Sequence, residues 1–421
     1  MEKPHRNTRA DTTPGEQTPP SAAAPSTSYT PMWRDYLAYF TGRRLLTIVY
    51  ALVVMEVGAW VSLSLLPAGL SGLRRAVSGQ AQSDRLMQPD AYLGHQLRPG
   101  VEMVYRSEGR PVHVRTTNFG LGTGVFRDLG MQPPFDILAL GDSFTYCDDI
   151  SPEGCWLRLL GDRTGLSVGD LGVPGYSTLA EARMLERHGP TVRPRIVLVT
   201  VFANDFRDNE QFDRWLRSGS DDFPQWLGQQ RKRGAVGQTL ARNSLVVRMF
   251  LAAKRANSRK MQNYKDGTLD LAFSFDPWWI DLTKHVESKS GFRLMQAALL
   301  SMQAQAERID AQLVVLYIPT KEEVYWDIAR QYVTQDLDVD RPRMAVRKFC
   351  EANGLRMCDI TDDLRATARN GQQVYLRTSG HWNDAGHSLV ADTTARCLRE
   401  QALMPLTTAG SKNGTGPLAG D

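Results

Sequence analysis

The chain reads as an α/β protein built on a doubly wound parallel sheet of about five strands. Three observations carry that reading. Short, continuous apolar runs recur along the chain, Ile137–Leu140, Leu166–Leu171 and Arg195–Phe202, then Gln312–Ile318 and Leu355–Ile360. Such unbroken runs suit strands covered on both faces, as parallel strands are. Helix-compatible segments separate them: a stretch from Pro152, then Phe292–Arg308, Arg343–Ala352 and Ala385–Glu400. Strands alternating with helices predict crossover units and a parallel sheet. Finally, the first three strands each run directly into Gly, Ser or Asn. In an open α/β sheet the carboxyl ends of the strands line one rim, where sites form.

Taking the elements in order, residues 1–42 are expected to be a disordered N-terminal segment, rich in Pro, Thr, Ser and Ala as far as about Tyr29. With few large apolar side chains, its Met1–Tyr29 portion cannot bury enough surface to offset ordering entropy. Residues 43–69 are expected to form one transmembrane helix. Leu45–Leu66 is an almost wholly apolar run of about 22 residues, long enough to cross a bilayer, with Glu56 its one carboxyl. The run is too long for a signal-peptide core, and it is apolar on all faces rather than one. Arg34, Arg43 and Arg44 precede it, while Arg74 and Arg75 follow. That asymmetry favours a cytoplasmic N-terminus and an extracytoplasmic remainder. Residues 70–134 are expected to be a linker and a small β segment. Val101–Tyr105 and Val112–Thr116 flank Glu108-Gly109 like a hairpin packed beside the sheet, and no chemistry is assigned to it. Residues 135–403 hold the main domain, with an insertion at 207–290 expected to be helical, including a helix at Leu240–Ala256, and to form a lid or cleft wall. Residues 404–421 form a flexible tail.

The chemistry begins at Gly141-Asp142-Ser143-Phe144-Thr145, just past the first strand. A serine hydroxyl needs a base to become a nucleophile, and histidine is the usual one near neutral pH. A candidate stands in Ser379-Gly-His381-Trp-Asn383-Asp-Ala-Gly-His387, before the last helix. His387 begins an apolar helical pattern and reads as a residue satisfied by the backbone. Attack on an acyl carbon also needs donors for the oxyanion. The N–H groups of Ser143 and Gly175 and the amide of Asn204 are placed after strands one, two and three. Asp142 and Asp205 read as supports of the nucleophile turn and the Asn204 loop.

This order of motifs resembles the SGNH, or GDSL, hydrolase family. Gly141–Thr145 is similar to its first block, Gly175 to the second-block glycine, Asn204 to the third-block asparagine and His381 to the fifth-block histidine. Asn118-Phe-Gly120, Gly172–Thr178 and His381–His387 resemble a bacterial membrane-anchored branch. The resemblance runs from about Asp90 to Leu398 with an unmatched middle. It implies an SGNH-like three-layer sandwich and a serine esterase, or a related O-acyltransferase, with Ser143 and His381 catalytic. Two departures stand out. Ala203 replaces the usual glycine before Asn204. The aspartate expected two or three residues before the histidine is absent, since Thr378 and Ser379 stand there. A Ser-His dyad, a weakened enzyme, or a carboxylate recruited from elsewhere are the options, with Asp359, Asp362, Asp363 and Asp384 nearby in sequence.

The expected substrate is an acyl ester, with O-acyl carbohydrate as a candidate class, and Trp278, Trp279 and Trp382 are candidate contacts to it. A non-catalytic SGNH-like binding or scaffold domain is the alternative. No metal or organic cofactor is implied. Net charge is only +4 over 421 residues, so nucleic acid is not an expected partner. The expected location is a bacterial inner membrane, single-pass, with the catalytic domain periplasmic; oligomeric state is not legible. Of the five cysteines, Cys147 with Cys155 and Cys350 with Cys358 are placed to pair, leaving Cys397. Equally, all five can stand as small hydrophobes, because spacing alone does not establish a bridge.

Overall fold

The computed structural model describes residues 85–122, 124–232 and 261–404, with scattered positions between 44 and 61 and Val246. The chain divides into two units, Met1–Ser64 and Leu65–Asp421. In the first, the described positions, from Arg44 to Val61, are helical. Most of the expected segments 1–42, 43–69 and 404–421, and of the helix Leu240–Ala256, lies outside the described residues. Among the described residues no helix is long and apolar enough to cross a membrane.

The second unit is an α/β fold on one eight-stranded sheet. It is preceded by a small antiparallel pair, β1 (Met87–Asp90) and β2 (Gly94–Leu97). The five expected parallel strands are present. They are β6 (Ile137–Leu140), β7 (Val168–Asp170), β8 (Ile196–Val201), β11 (Gln312–Tyr317) and β12 (Arg356–Asp359). Their order across the sheet is β12-β11-β8-β6-β7, all parallel. The chain lays β7 on one side of β6 and β8 on the other. The carboxyl end of β6 is therefore the topological switch point, where open α/β sheets open a crevice.

The sheet is larger than expected. Three further strands continue it antiparallel beyond β7: β5 (Phe126–Arg127), β4 (Arg110–Thr117) and β3 (Glu102–Ser107). The hairpin expected to pack beside the sheet is instead its edge. A pattern of alternating side chains reveals a hairpin, but its attachment through the two-residue β5 leaves no periodicity to read.

Helices cover both faces. In β6, β8 and β11 alternate residues enter two separate cores, as the period of two demands. Leu138, Leu140, Val197, Val199, Val201 and Val315 face one core. Ile137, Ala139, Ile196, Leu198, Val314 and Leu316 face the other. The first is closed by α2 (Thr178–Val192), α3 (Asp205–Ser218), α6 (Ser290–Arg308) and α9 (Arg341–Ala352). The second is closed by α1 (Trp156–Thr164), α10 (Thr361–Arg369) and α11 (Asp384–Glu400).

Among the described residues the 207–290 stretch is mostly helical, with one short hairpin. It supplies most of α3, whose Phe206, Phe212 and Trp215 sit in the sheet core. It then adds α4 (Phe223–Lys232), a hairpin of β9 (Gln262–Lys265) and β10 (Asp270–Phe273), and α5 (Pro277–His285). Two short helices after β11, α7 (Lys321–Val324) and α8 (Trp326–Ala329), complete the set. Cysteine pairing also departs in part from expectation. Cys147 bonds Cys155, but Cys358 bonds Cys397 and the buried Cys350 is free. Cys358 lies on β12 and Cys397 on α11, and the packing of that helix against that strand, absent from sequence spacing, brings them together.

Candidate active site

Strand β6 delivers Ser143 through a turn that only glycine can open. A Cβ on Gly141 would lie 2.0 Å from the Thr145 hydroxyl and 2.1 Å from that of Thr200, which are themselves 2.8 Å apart. Tight turns follow, with Tyr146 N–H donating to Asp142 O and Asp148 N–H to Ser143 O, both at 2.9 Å. Asp142 braces this corner. Its carboxylate accepts the N–H of Phe144 and the side-chain amide of Asn204, each at 2.9 Å. Burial drives its pKa up to about 6 against those two hydrogen bonds.

His381 arrives from a loop before α11. A bridge between Tyr375 and Trp382 and a bond from Leu376 N–H to His381 O (2.9 Å) shape that loop. Asn383 caps the helix by accepting Gly386 N–H at 2.9 Å. The ring lies edge-on to Phe144, with centroids 5.0 Å apart. Its Nε2 is 2.9 Å from the Ser143 hydroxyl. Residues 238 apart in the chain are thus in hydrogen-bonding reach.

The imidazole's other nitrogen, Nδ1, is 2.8 Å from Asp149 Oδ2. This carboxylate is not among those named from the sequence. Those four are engaged elsewhere: Asp359 and Asp362 with Arg343, Asp363 with Arg396, and Asp384 with Arg110. Asp149 comes from the nucleophile's own loop, six residues after Ser143. Ser379, standing where the family's aspartate is expected, donates its hydroxyl to the same Oδ2 at 2.7 Å. Burial favours neutral Asp149, but hydrogen bonds from His381, Ser107 and Ser379 and the imidazolium charge hold it well below the usual carboxylate range. Burial likewise opposes charge on His381. The Asp149 hydrogen bond and the charges of Asp148, Asp149 and Asp142 outweigh it and raise its pKa. With the proton on Nδ1 pointing at Asp149, Nε2 is left to accept from Ser143.

The Asp149 loop is held in a costly shape. Cys147 (φ 57°) and Asp149 (φ 71°) both sit in the left-handed region, which non-glycine residues seldom occupy. The Cys147–Cys155 bridge ties the loop to the start of α1. Beneath it the buried guanidinium of Arg127, on β5, donates to the carbonyls of Tyr146, Cys147 and Ile150. The signal in the sequence was the pair of cysteines bracketing Asp148-Asp149 directly after the nucleophile.

Three groups at the rim keep donor capacity. Among the described residues neither the Ser143 N–H nor the Gly175 N–H has an acceptor, and Asn204 has used one amide hydrogen, on Asp142. Gly175 (φ +82°) is the most exposed of the three, and Val173 N–H donating to Gly141 O (3.0 Å) docks its loop beside the Ser143 turn. Asp205 is buried under this rim and accepts Phe202 N–H at 2.9 Å, and burial raises its pKa far above the ordinary value. His387 is buried and neutral, its pKa pushed down to about 3 by burial, and its Nδ1 accepts Trp156 N–H at 3.3 Å.

A cleft of about 220 Å³ reaches the loop before His381 at Thr378 and Gly380 and is walled by Phe202, Asp276, Trp278, Trp279 and Glu322; it is not lined by Ser143, Asp149 or His381. The three tryptophans separate here. Trp278 is half-buried in the cleft with the Arg207 guanidinium 5.0 Å from its ring. Trp279 is 3% exposed and packs mainly on Phe275 and Trp326. Trp382, 1% exposed, packs against Phe144, Trp156 and His387 and has no surface for a ligand. Adjacency to His381 had suggested contact, but the chain alternates and turns it into the core. A larger groove, about 450 Å³, lies between β1–β2 and α4 and includes none of Ser143, Asp149 and His381. No cluster able to hold a metal ion occurs among the described residues.

Comparison with known proteins agrees with the resemblance read from the sequence. Residues 279–419, about a third of the chain, match the family described as "SGNH hydrolase-like domain, acetyltransferase AlgX". That span includes His381 and leaves Ser143, Asp149, Gly175 and Asn204 outside it. No curated protein matches. Among solved structures, a catalytic mutant of an acetylxylan esterase from Geobacillus stearothermophilus is 14% identical. The match covers 63% of this chain and 94% of that one, with a TM-score of 0.34. An acetyl xylan esterase is 12% identical over 62% of this chain and 98% of that one, TM-score 0.36. A protein described as lipolytic, of the G-D-S-L family, from Desulfitobacterium hafniense gives 12%, 62%, 98% and 0.33 in the same terms.

Proposed function

We propose, from the premise that the chain carries an SGNH hydrolase-like domain, that it is a serine enzyme of acyl-ester chemistry working through Ser143, His381 and Asp149. One observation carries this reading: the continuous chain Ser143–His381–Asp149, with links of 2.9 and 2.8 Å. Ser143 Oγ attacks the ester carbonyl and gives its proton to His381 Nε2. Asp149 keeps the imidazole in the right tautomer and offsets its charge. The Ser143 and Gly175 N–H groups and the Asn204 amide hold the oxyanion. Collapse expels the alcohol, which takes the proton back from His381, and leaves an acyl-Ser143 ester. Water, activated by the same histidine, then releases the acid; a second alcohol in its place accepts the acyl group.

O-acyl carbohydrate is the substrate class we favour. The cleft at the His381 loop is small and mixes apolar and polar walls, with the Trp278 ring and the Asp276 and Glu322 carboxyls among them. A sugar's apolar face suits an indole and its hydroxyls suit carboxylates. The description of the matching family as an acetyltransferase favours transfer to a second sugar as the further reading. We also place the catalytic unit outside the cytoplasm of a bacterial cell, anchored in the inner membrane by Leu45–Leu66. The apolar run supports the anchor, and two disulfides support an oxidising compartment.

The test is acetate release from acetylated oligosaccharides by the full-length protein in detergent, with and without unacetylated acceptor. Release that Ser143→Ala abolishes supports the enzyme. Acetyl moving to the acceptor instead of water identifies the transferase. Carbohydrate binding without turnover, and no reaction of Ser143 with a fluorophosphonate, would leave a binding module.

A further inference from the structure

The β3–β4 hairpin lies at the far edge of the sheet in strand order, yet its tip bends over the rim to the catalytic loops. Ser107 and Arg110 pair to close a two-residue turn of Glu108 and Gly109. Glu108 has φ 44° and Gly109 φ 86°. Both central residues are therefore left-handed, as in the tightest hairpins, which favour Asn-Gly there. A glutamate in that position is locally unfavourable, and such an outlier points to a use for its side chain.

That side chain grips the His381 loop. Glu108 Oε1 accepts the N–H of Thr378 (2.6 Å), the hydroxyl of Thr378 (2.7 Å) and the N–H of Ser379 (3.3 Å). Oε2 accepts the N–H of Arg377 at 3.1 Å. Three successive backbone N–H groups thus converge on one carboxylate, an anion nest whose anion is supplied from 269 residues upstream. The same hairpin reaches the other catalytic loop. The Tyr105 hydroxyl accepts Asp149 N–H at 2.9 Å, and the Ser107 hydroxyl bonds the Asp149 carboxylate.

We propose that the β3–β4 hairpin is a working part of the active site, with Glu108 the positioning residue that holds the His381 loop against the Asp149 loop. This rests on the acyl-ester reading given above. Neither loop has the partner on its own: the His381 loop carries serine where an aspartate is expected, and Asp149 comes from a separate, strained turn. A third element bonded to both keeps them in register. Tyr105 holds the backbone of Asp149 and Ser107 its carboxylate, while Glu108 fixes the backbone of Arg377 to Ser379, two residues before the imidazole. The imidazole of His381 is faced by Asp148 and Asp149 from the nucleophile loop, Asp142 from the end of β6 and His387 from α11, while Glu108 of the hairpin bonds the loop backbone at Arg377 to Ser379.

The decisive variant is Glu108→Asn in the full-length protein. Asparagine is better suited to this turn, so the fold is kept or stabilised, while its shorter side chain releases the loop. We expect an unchanged or higher melting temperature and kcat on a small aryl acetate lower by about tenfold. KM should stay within about twofold of wild type, and the acid limb of kcat/KM should move to lower pH as the Asp149–His381 bond loosens. Thr378→Val, which removes one donor and leaves Glu108, should give a smaller change of the same kind. Wild-type kcat and an unmoved acid limb in Glu108→Asn would overturn the proposal. The imidazole titration of His381, followed by NMR in wild type and Glu108→Asn, decides the matter independently of turnover. A lowered midpoint supports the clasp and coincident curves refute it. A wild-type protein that neither turns over esters nor takes a fluorophosphonate would sink the acyl-ester reading alone.

Discussion

The rim of the parallel strands and the edge that frames it make different demands on the chain. Ser143, Gly175 and Asn204 each follow a buried strand within a few residues, so the backbone that makes the strand also places the group. Asp149 has no such support. Its turn contains two left-handed non-glycine residues and is kept in shape by a disulfide, a buried arginine from β5 and the hairpin β3–β4. One region puts reactive groups where a fold of this type puts them anyway. The other assembles a partner for the histidine from three separate segments. The placement of Ser143, Gly175 and Asn204 should therefore be insensitive to change at the sheet edge, and the pairing of His381 with Asp149 should not.

The largest effect is expected at the rim itself. Ser143→Ala or His381→Ala should lower kcat on an aryl acetate by on the order of 10⁴-fold or more while leaving the melting temperature near wild type. Retained turnover in either would place the chemistry elsewhere. Next comes Asp149→Asn, which keeps the shape but loses the charge and disturbs the tautomer. A loss of about 10³–10⁴-fold is expected. The pH profile should also change in a fixed direction. His381 has a raised pKa, so wild-type kcat/KM should fall as pH drops through a midpoint above the ordinary histidine value of about 6.5. In Asp149→Asn that midpoint should move down, since the chief group favouring imidazolium is gone.

Opening the staple should have a smaller effect. Replacing Cys147 and Cys155 together by serine frees a short loop, and about 2–3 kcal/mol of stability should be lost. Activity should fall by roughly tenfold more than unfolding explains, because Asp149 is no longer fixed. Equal losses of stability and activity would show the bridge to be structural only. The smallest effect is expected at Asp384→Asn, on the carboxylate nearest His381 in the chain. Its partner Arg110 and it are 48% and 66% exposed, and such a pair contributes about 0–1 kcal/mol. A change in kcat beyond about twofold would mean that sequence proximity was the better guide.

That contrast also explains what could be read without coordinates. Ile137–Leu140, Ile196–Val201 and Gln312–Tyr317 are legible because burial on both faces writes an unbroken apolar run. Ser143 and Asn204 are legible because a rim residue sits at a fixed place after such a run. His381 needed the family resemblance, since a loop histidine has no pattern of its own. Asp149 is not legible because charge pairing is a matter of space: the partner of the histidine lies beside the serine in the chain, 232 residues from the imidazole. The β3–β4 hairpin is legible from its alternation, but its attachment to the sheet is not, because Phe126-Arg127 is too short to show a period. Cys397 was left over in sequence because nothing local tells α11 which strand it covers.

The central claim is that Ser143, His381 and Asp149 act as one unit. It is tested most directly by the rate at which a fluorophosphonate modifies the full-length protein, with the modified residue located by peptide mass. The account predicts one adduct per chain, on Ser143, formed far more slowly in both His381→Ala and Asp149→Asn. An adduct on another residue, or an Asp149→Asn protein that reacts at the wild-type rate, would contradict it.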